Sequence, residues 1–187
     1  MQFLADDGEG MSLDELRMNM KFPSNSPDTD RNKNDLGRFG LGLKTASFSQ
    51  TRKFTVLSRK KGTKKYFART WDLSVLKETG KWNLVINTDN EIEMILNDYI
   101  NLSETLYETY TSFLPNTIVT WEGLYKFENY LENKNRKSTL QREISEIVTE
   151  HLSLVFHRFM EEETPLQIRV NNVLLKPFNP FPKSEKD

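Results

Sequence analysis

Two glycine-rich stretches constrain this chain more than anything else in it. The first, Asp6-Asp7-Gly8-Glu9-Gly10-Met11, continues directly from residues 1–5, which read as the tail of a strand. The second packs three glycines, Gly37, Gly40 and Gly42, and one lysine, Lys44, into residues 37–44. Glycine lets backbone turn sharply and approach a ligand without a Cβ in the way. Successive N–H groups running into a helix start form a natural seat for phosphate.

Several phosphate motifs compete for the second stretch. A dinucleotide fingerprint needs G-x-G-x-x-G directly after a strand. Here the order is Gly37-x-x-Gly40-x-Gly42, and the preceding residues are polar. A P-loop needs G-x-x-x-x-G-K-[ST]. Gly37 and Gly42 have that separation, but Leu43 intervenes before Lys44-Thr45. One extra residue turns the lysine by about 100° at a helix start. Neither motif fits.

Along the chain, Ser12 offers a helix N-cap and Glu15 completes a capping box, with Leu13, Leu16 and Met20 on one face. Residues 23–36 hold two prolines and many Asn, Asp and Ser, the composition of a mobile loop. A short helix is expected over about Leu43–Ser49. The runs 54–58 and 66–71 read as a hairpin about Lys-Lys-Gly-Thr, and Trp82, Leu84 and Ile86 alternate as a third strand. Residues 89–113 read as helix in two pieces, and Asn116-Thr117-Ile118-Val119-Thr120-Trp121 as a strand. Leu140, Ile144, Ile147, Val148, His151, Val155 and Phe159 follow helical spacing. A last hairpin turns at Asn171-Asn172. This order of elements predicts an α+β sandwich, a mixed and mainly antiparallel sheet with helices on one face.

Composition bounds the function. Lys and Arg number 26 against 27 Asp and Glu, so no global field steers the chain to nucleic acid or a membrane surface. With no cysteine, disulfides and thiolate metal sites are excluded. No apolar run approaches the length of a membrane span. A cytoplasmic domain is expected, with no membrane partner and no residue singled out as a metal ligand. His151 and His157 lie six apart, off a common helical face, and read as structural.

Taken together, the D-x-G-x-G of Asp6, Gly8 and Gly10 and the later Leu36-Gly37-Arg38-Phe39-Gly40-Leu41-Gly42-Leu43-Lys44-Thr45 resemble the two glycine boxes of the GHKL ATPases. That family includes gyrase B, MutL, the heat-shock chaperone, microrchidia proteins and histidine kinases. The segment around Thr117 resembles the later family strand whose threonine closes the adenine pocket. The stretch from His151 through Ile168-Arg169-Val170-Asn171-Asn172 to Phe181 is similar to the end of the domain in the MutL- and microrchidia-like branch.

The resemblance implies a Bergerat-type fold across residues 1–187 as one nucleotide-binding domain, with a mobile lid over about 23–42. It implies ATP as ligand. An ionised Asp6 accepts from adenine's exocyclic amine, where guanine would present a carbonyl. Gly8, Gly10 and Met11 would line the base, and Thr117 would close the pocket. Gly37, Gly40, Leu41, Gly42 and Lys44 would hold phosphate. In the family, a helix before the first box carries the glutamate that activates water and the asparagine that ligates Mg²⁺; no counterpart precedes Asp6 here, so no catalytic residue is assigned. Asn116 stands where the family commonly has glycine. The expected function is therefore ATP binding without turnover by this chain as it stands, with nucleotide-dependent dimerisation only in a full-length form. The alternative is a non-catalytic interaction module that keeps the fold without effective nucleotide binding.

Overall fold

Strand β1 (Gln2–Asp6) pairs antiparallel with β5 (Thr117–Glu122), which comes from far along the chain. In this computed structural model, residues 1–22, 41–104, 114–125, 142 and 144–181 are described. The expected lid over 23–42, with Gly37 and Gly40, lies outside them apart from Leu41 and Gly42. The contacts divide the chain into two compact units, Met1–Glu128 and Asn129–Asp187.

The first unit is built on a five-stranded sheet in the order β1-β5-β2-β3-β4. Here β2 is Lys53–Ser58, β3 is Phe67–Asp72 and β4 is Val85–Ile86. Every pairing is antiparallel, so the parallel part of the expected mixed sheet does not occur among the described residues. The hairpin between β2 and β3 matches the alternating pattern of its two runs. The third alternating run forms only the two-residue β4, and Trp82 and Ile86 stay exposed.

Strand alternation sorts the sheet's side chains onto two faces, and each face gathers its own core. Phe54 and Val56 lie opposite Trp71 and Arg69 on β3 and opposite Trp121 and Val119 on β5. This face is covered by α1 (Leu13–Met20) and α2 (Gly42–Gln50), which contribute Leu16, Met20 and Phe48. Both tryptophans on this face tie a helix down. Trp71 Nε1 donates to Met20 O at 2.8 Å, and Trp121 Nε1 donates to Ser47 Oγ at 2.9 Å. The buried Trp71 and the half-buried Trp121 thus satisfy their one polar group while supplying large apolar area.

The opposite face holds Leu57, Ala68 and Ile118. Helix α4 (Asp89–Leu102) packs there through Ile92, Ile95 and Tyr99, with the Tyr99 ring edge-on to Phe3 at 5.8 Å. The expected one-sided helical layer is met by α1 and α2, and α4 adds a helix to the other side. Thr88 and Glu91 form the capping box that starts α4. The second expected helical piece, 105–113, lies outside the described residues. One helix was not expected, α3 (Leu73–Thr79). Its signals are present: Asp72 caps the start through Ser74 N, and Gly80 ends it at φ 66°.

In the second unit the expected long helix is broken into a π-helical turn (Ile144–Val148), α5 (Thr149–Val155) and α6 (His157–Met160). The buried residues are Ser153, His157 and Met160, while Ile147, Val148, Val155 and Phe159 are exposed. A π turn rotates each later side chain relative to a regular helix, so the spacing read from sequence does not define the buried face. The hairpin β6 (Arg169–Val170) and β7 (Val173–Leu174) turns at Asn171-Asn172, both at positive φ, as the sequence predicts.

Phe54 is fully buried between Trp71 and Trp121, with the Phe48 ring edge-on at 5.1 Å. Phe54→Ala is expected to cost about 3–5 kcal/mol, read as a lower urea midpoint at unchanged slope.

Candidate functional site

Asp6, Thr117 and Ser58 lie on one rung of the sheet. The register pairs Asp6 with Thr117 across β1–β5, and Ser58 with Thr117 across β5–β2. Cross-strand partners share a face, and this one carries Val56, Trp71, α1 and α2. Asp6 and Thr117, assigned from sequence to one adenine pocket although over a hundred residues apart, are therefore direct neighbours beneath the helices.

Hydrogen bonds fix the rung. Met11 N donates to Ser58 Oγ at 2.9 Å, and Ser58 Oγ donates to Asn116 O at 3.1 Å. Ser58 Oγ and Thr117 Oγ1 are 3.0 Å apart. Since the serine has one proton and gives it to Asn116, the threonine hydroxyl is the donor of that pair. Thr117 Oγ1 then keeps lone pairs with which to accept from an incoming donor.

The loop after β1 is fastened to its neighbours at several points. Gly8 N donates to Asp6 Oδ1 at 3.0 Å, and a Cβ on Gly8 would lie 2.9 Å from that oxygen. Gly10 has φ +61°, and a Cβ there would fall 1.8 Å from Arg59 O. Beyond the loop, Lys61 N donates to Glu9 O at 3.0 Å, and Lys60 Nζ reaches Glu15 Oε1 at 3.0 Å. Asn116 is buried, and its Nδ2 donates to Asp7 O at 3.2 Å and Gly8 O at 2.8 Å. Arg59 Nε donates to Asn116 Oδ1 at 3.1 Å. Asn116 thus does a structural job, holding the loop by its side chain. Ser58, Arg59 and Asn116 were not assigned to the site from sequence. Their role depends on strand pairing, which no local pattern records.

Asp6 is the exposed end of the rung, yet its carboxyl group is partly shielded. Shielding from water raises its pKa above the ordinary 3.8; the Gly8 N–H lowers it and the Asp7 charge raises it again. Only Oδ1 is engaged among the described residues, leaving Oδ2 as an acceptor.

Helix α2 presents the second box. Its N-cap, Leu41, offers no side-chain acceptor, whereas Ser12, Asp72 and Thr88 cap the starts of α1, α3 and α4. Gly42, its first residue, has open space where a Cβ would be. First-turn N–H groups without a capping side chain are the donors an anion uses.

Lys44 sits elsewhere than the sequence suggests. Its side chain is 1% exposed, and Nζ donates to Asn19 O and Lys21 O, each at 2.7 Å. The ammonium also lies 5.1 Å from the Phe22 ring centre. It satisfies carbonyls at the C-terminal end of α1 and so ties α1 to α2. Burial lowers its pKa from the ordinary 10.5.

Comparison with known families decides the assignment. The family described as "Histidine kinase-, DNA gyrase B-, and HSP90-like ATPase" matches residues 2–107. The chain belongs to this ATPase family. The match spans more than half of the sequence and takes in both glycine boxes, β1 to β4 and helices α1 to α4. Neither the curated proteins nor the solved structures searched contain a match. Thr117 lies beyond the matched stretch, and it is the sheet register that joins it to the family's first box.

The strain at Gly10 gives a direct test of the loop's anchoring. Gly10→Ala should cost well over the roughly 1–2 kcal/mol of a left-handed alanine, because Arg59 cannot yield without straining its backbone and side-chain hydrogen bonds to Asn116. Gly62→Ala, at φ +82° with open space around it, should cost only about that amount. Equal losses of thermal stability in the two variants would contradict the anchoring.

Proposed function

We propose that residues 1–128 form an adenine-nucleotide-binding unit of the ATPase family, and that this chain by itself holds ATP without hydrolysing it. The observation that carries the reading is the Asp6–Thr117–Ser58 rung, on the face covered by α1 and α2. Asp6 Oδ2 and Thr117 Oγ1 are two acceptors set side by side, suited to an exocyclic amine and to a water bridging to the ring. Gly8 and Gly10 keep the approach to that edge clear of side chains, and Met11 supplies a soft apolar contact. Phosphates would meet the uncapped start of α2 at Leu41 and Gly42, with Gly37 and Gly40 preceding it in sequence. Lys44 would act from behind by fixing α2 to α1. The resemblance to the MutL- and microrchidia-like branch belongs to this proposal too.

Turnover needs a positioned base. Glu15 and Asn19 stand four residues apart on α1, after the first box rather than before it. Glu15 is already committed. Its carboxylate accepts from Ser12 N at 2.7 Å, and these capping bonds together with Lys60 hold its pKa down to about 2. A carboxylate so stabilised is a poor proton acceptor at neutral pH. Mg²⁺ would contribute charge neutralisation on the phosphates, and we assign no residue of this chain to it.

Calorimetric titration with a non-hydrolysable ATP analogue tests the site. Asp6→Ala should weaken binding by about 1–3 kcal/mol, roughly five- to 150-fold, and phosphate release by the wild-type chain should be negligible. Acid should weaken binding too, beginning above the ordinary carboxylate range because the Asp6 pKa is raised. The same shift has the opposite sign for stability. A raised folded pKa means that the Asp6 contribution to stability is fully present below pH 3.8 and is lost as pH rises through the folded value. Asp6→Asn should therefore be at least as stable as wild type at neutral pH while binding nucleotide less well. Equal affinity in wild type and Asp6→Ala would reduce Asp6 to a turn residue, and no measurable binding by wild type would favour the non-catalytic interaction module.

A further inference from the structure

Far along the sheet from Asp6, a cavity of about 620 Å³ opens between α1, β3 and β4. Three strand steps separate β1 from β3 in the order β1-β5-β2-β3, roughly 14 Å at the usual strand spacing. The cavity's volume is in the range of sites that enclose small organic molecules. The cavity lies on the same face, but its lining includes none of the residues assigned to the nucleotide site proposed above.

The lining is unusual in charge. Arg17 and Lys21 from α1 and Arg69 from β3 border it, against a single carboxylate, Asp14. Among the described residues, none of these three cations forms an ion pair. Arg69 is the telling one. It is 9% exposed, and among the described residues its only side-chain hydrogen bond runs from Nη1 to the carbonyl of its own neighbour, Ala68, at 2.6 Å. Burial and the nearby Arg17 charge both lower its pKa, burial the more. A buried guanidinium without a counter-ion is costly, and its remaining donors are a fork shaped for a carboxylate or phosphate.

The rest of the wall is apolar and aromatic. Trp71 and Trp82 meet edge to face at 5.7 Å, and Leu84 and Ile86 continue the surface. Trp82 is 61% exposed and Ile86 70%, although both border the cavity. Large side chains left in water beside a cationic recess match a ligand with a flat apolar body and a charged head.

We propose that this cavity is a second binding site, for a small organic anion whose carboxylate or phosphate pairs with Arg69 and whose flat apolar body lies against Trp71 and Trp82. Arg17 and Lys21 attract the head from the rim, and Asp14 sets a limit on total ligand charge. Nothing in the site requires ATP to be bound.

Titration of the 187-residue chain with 2-naphthoate, 2-naphthyl phosphate and the neutral 2-naphthamide tests this, read by calorimetry and tryptophan fluorescence. At least one anion should bind ten-fold or more tightly than the amide, and which one does so separates carboxylate from phosphate as the natural head. Arg69→Met should weaken the favoured anion about ten- to 100-fold and leave the amide unchanged. Arg17→Gln, at the helix surface, should weaken it several-fold and serves as the test if Arg69→Met fails to fold. Asp6→Ala should leave it unchanged, which separates this site from the nucleotide pocket. The proposal is overturned if neither anion binds better than the amide, if the folded Arg69→Met or, failing that, Arg17→Gln matches wild type, or if Asp6→Ala abolishes anion binding.

Discussion

The rung formed by Asp6, Thr117 and Ser58 governs the rest of the first unit, because three strands must pair in a single register to create it. A slip of one residue in β1 or β5 would send Asp6 or Thr117 to the face covered by α4 and expose the apolar residues that now meet α1 and α2. The two separate cores make such a slip costly. Phe54, Val56 and Trp71 fill one side, and Leu57, Ala68 and Ile118 the other. The register that buries Phe54 and Trp71 also lines up the polar end of the sheet. Core packing and site geometry thus have one cause.

From that rung outward the glycine box is held by groups that are not themselves ligands. Asn116 grips the carbonyls of Asp7 and Gly8, Arg59 orients Asn116 and fills the space a side chain at Gly10 would need, and Ser58 holds Met11 N. Asp6 is left with one oxygen engaged and its ionised form disfavoured by shielding. A group kept in that condition gains most when a donor arrives. The opposite holds for Glu15, whose charge is fully used in capping α1 and bridging to Lys60. Two carboxylates a short way apart thus have different uses, one open to a ligand and the other structural.

Much of this was legible in the sequence where the signal is local. The Ser12–Glu15 capping box, the β2–β3 hairpin, the strand through Thr117 and the Asn171-Asn172 turn each depend on a few adjacent residues, and each is found. The family assignment drew on two glycine boxes and is supported over residues 2–107. What failed depends on distant partners. Periodicity could not say that α4 covers the far face, because that choice is made by Leu57 and Ile118 rather than within the helix. It also missed the π turn at Ile144–Val148, which shifts the face that follows. Lys44 read as a phosphate ligand because its neighbours are glycines, yet in space it meets the end of α1. Asn116 read as a departure from the family pattern, and its compensating contacts lie across the sheet.

The central claim is that one face of the sheet, from the Asp6–Thr117 rung to the start of α2, receives adenine nucleotide. Amide NMR spectra recorded during titration with a non-hydrolysable ATP analogue test it most directly. The largest shifts are expected at residues 6–12, at Ser58 and Thr117, and at 41–45, with little change in α4. Shifts concentrated in α4, with 6–12 and Thr117 unmoved at saturation, would contradict it.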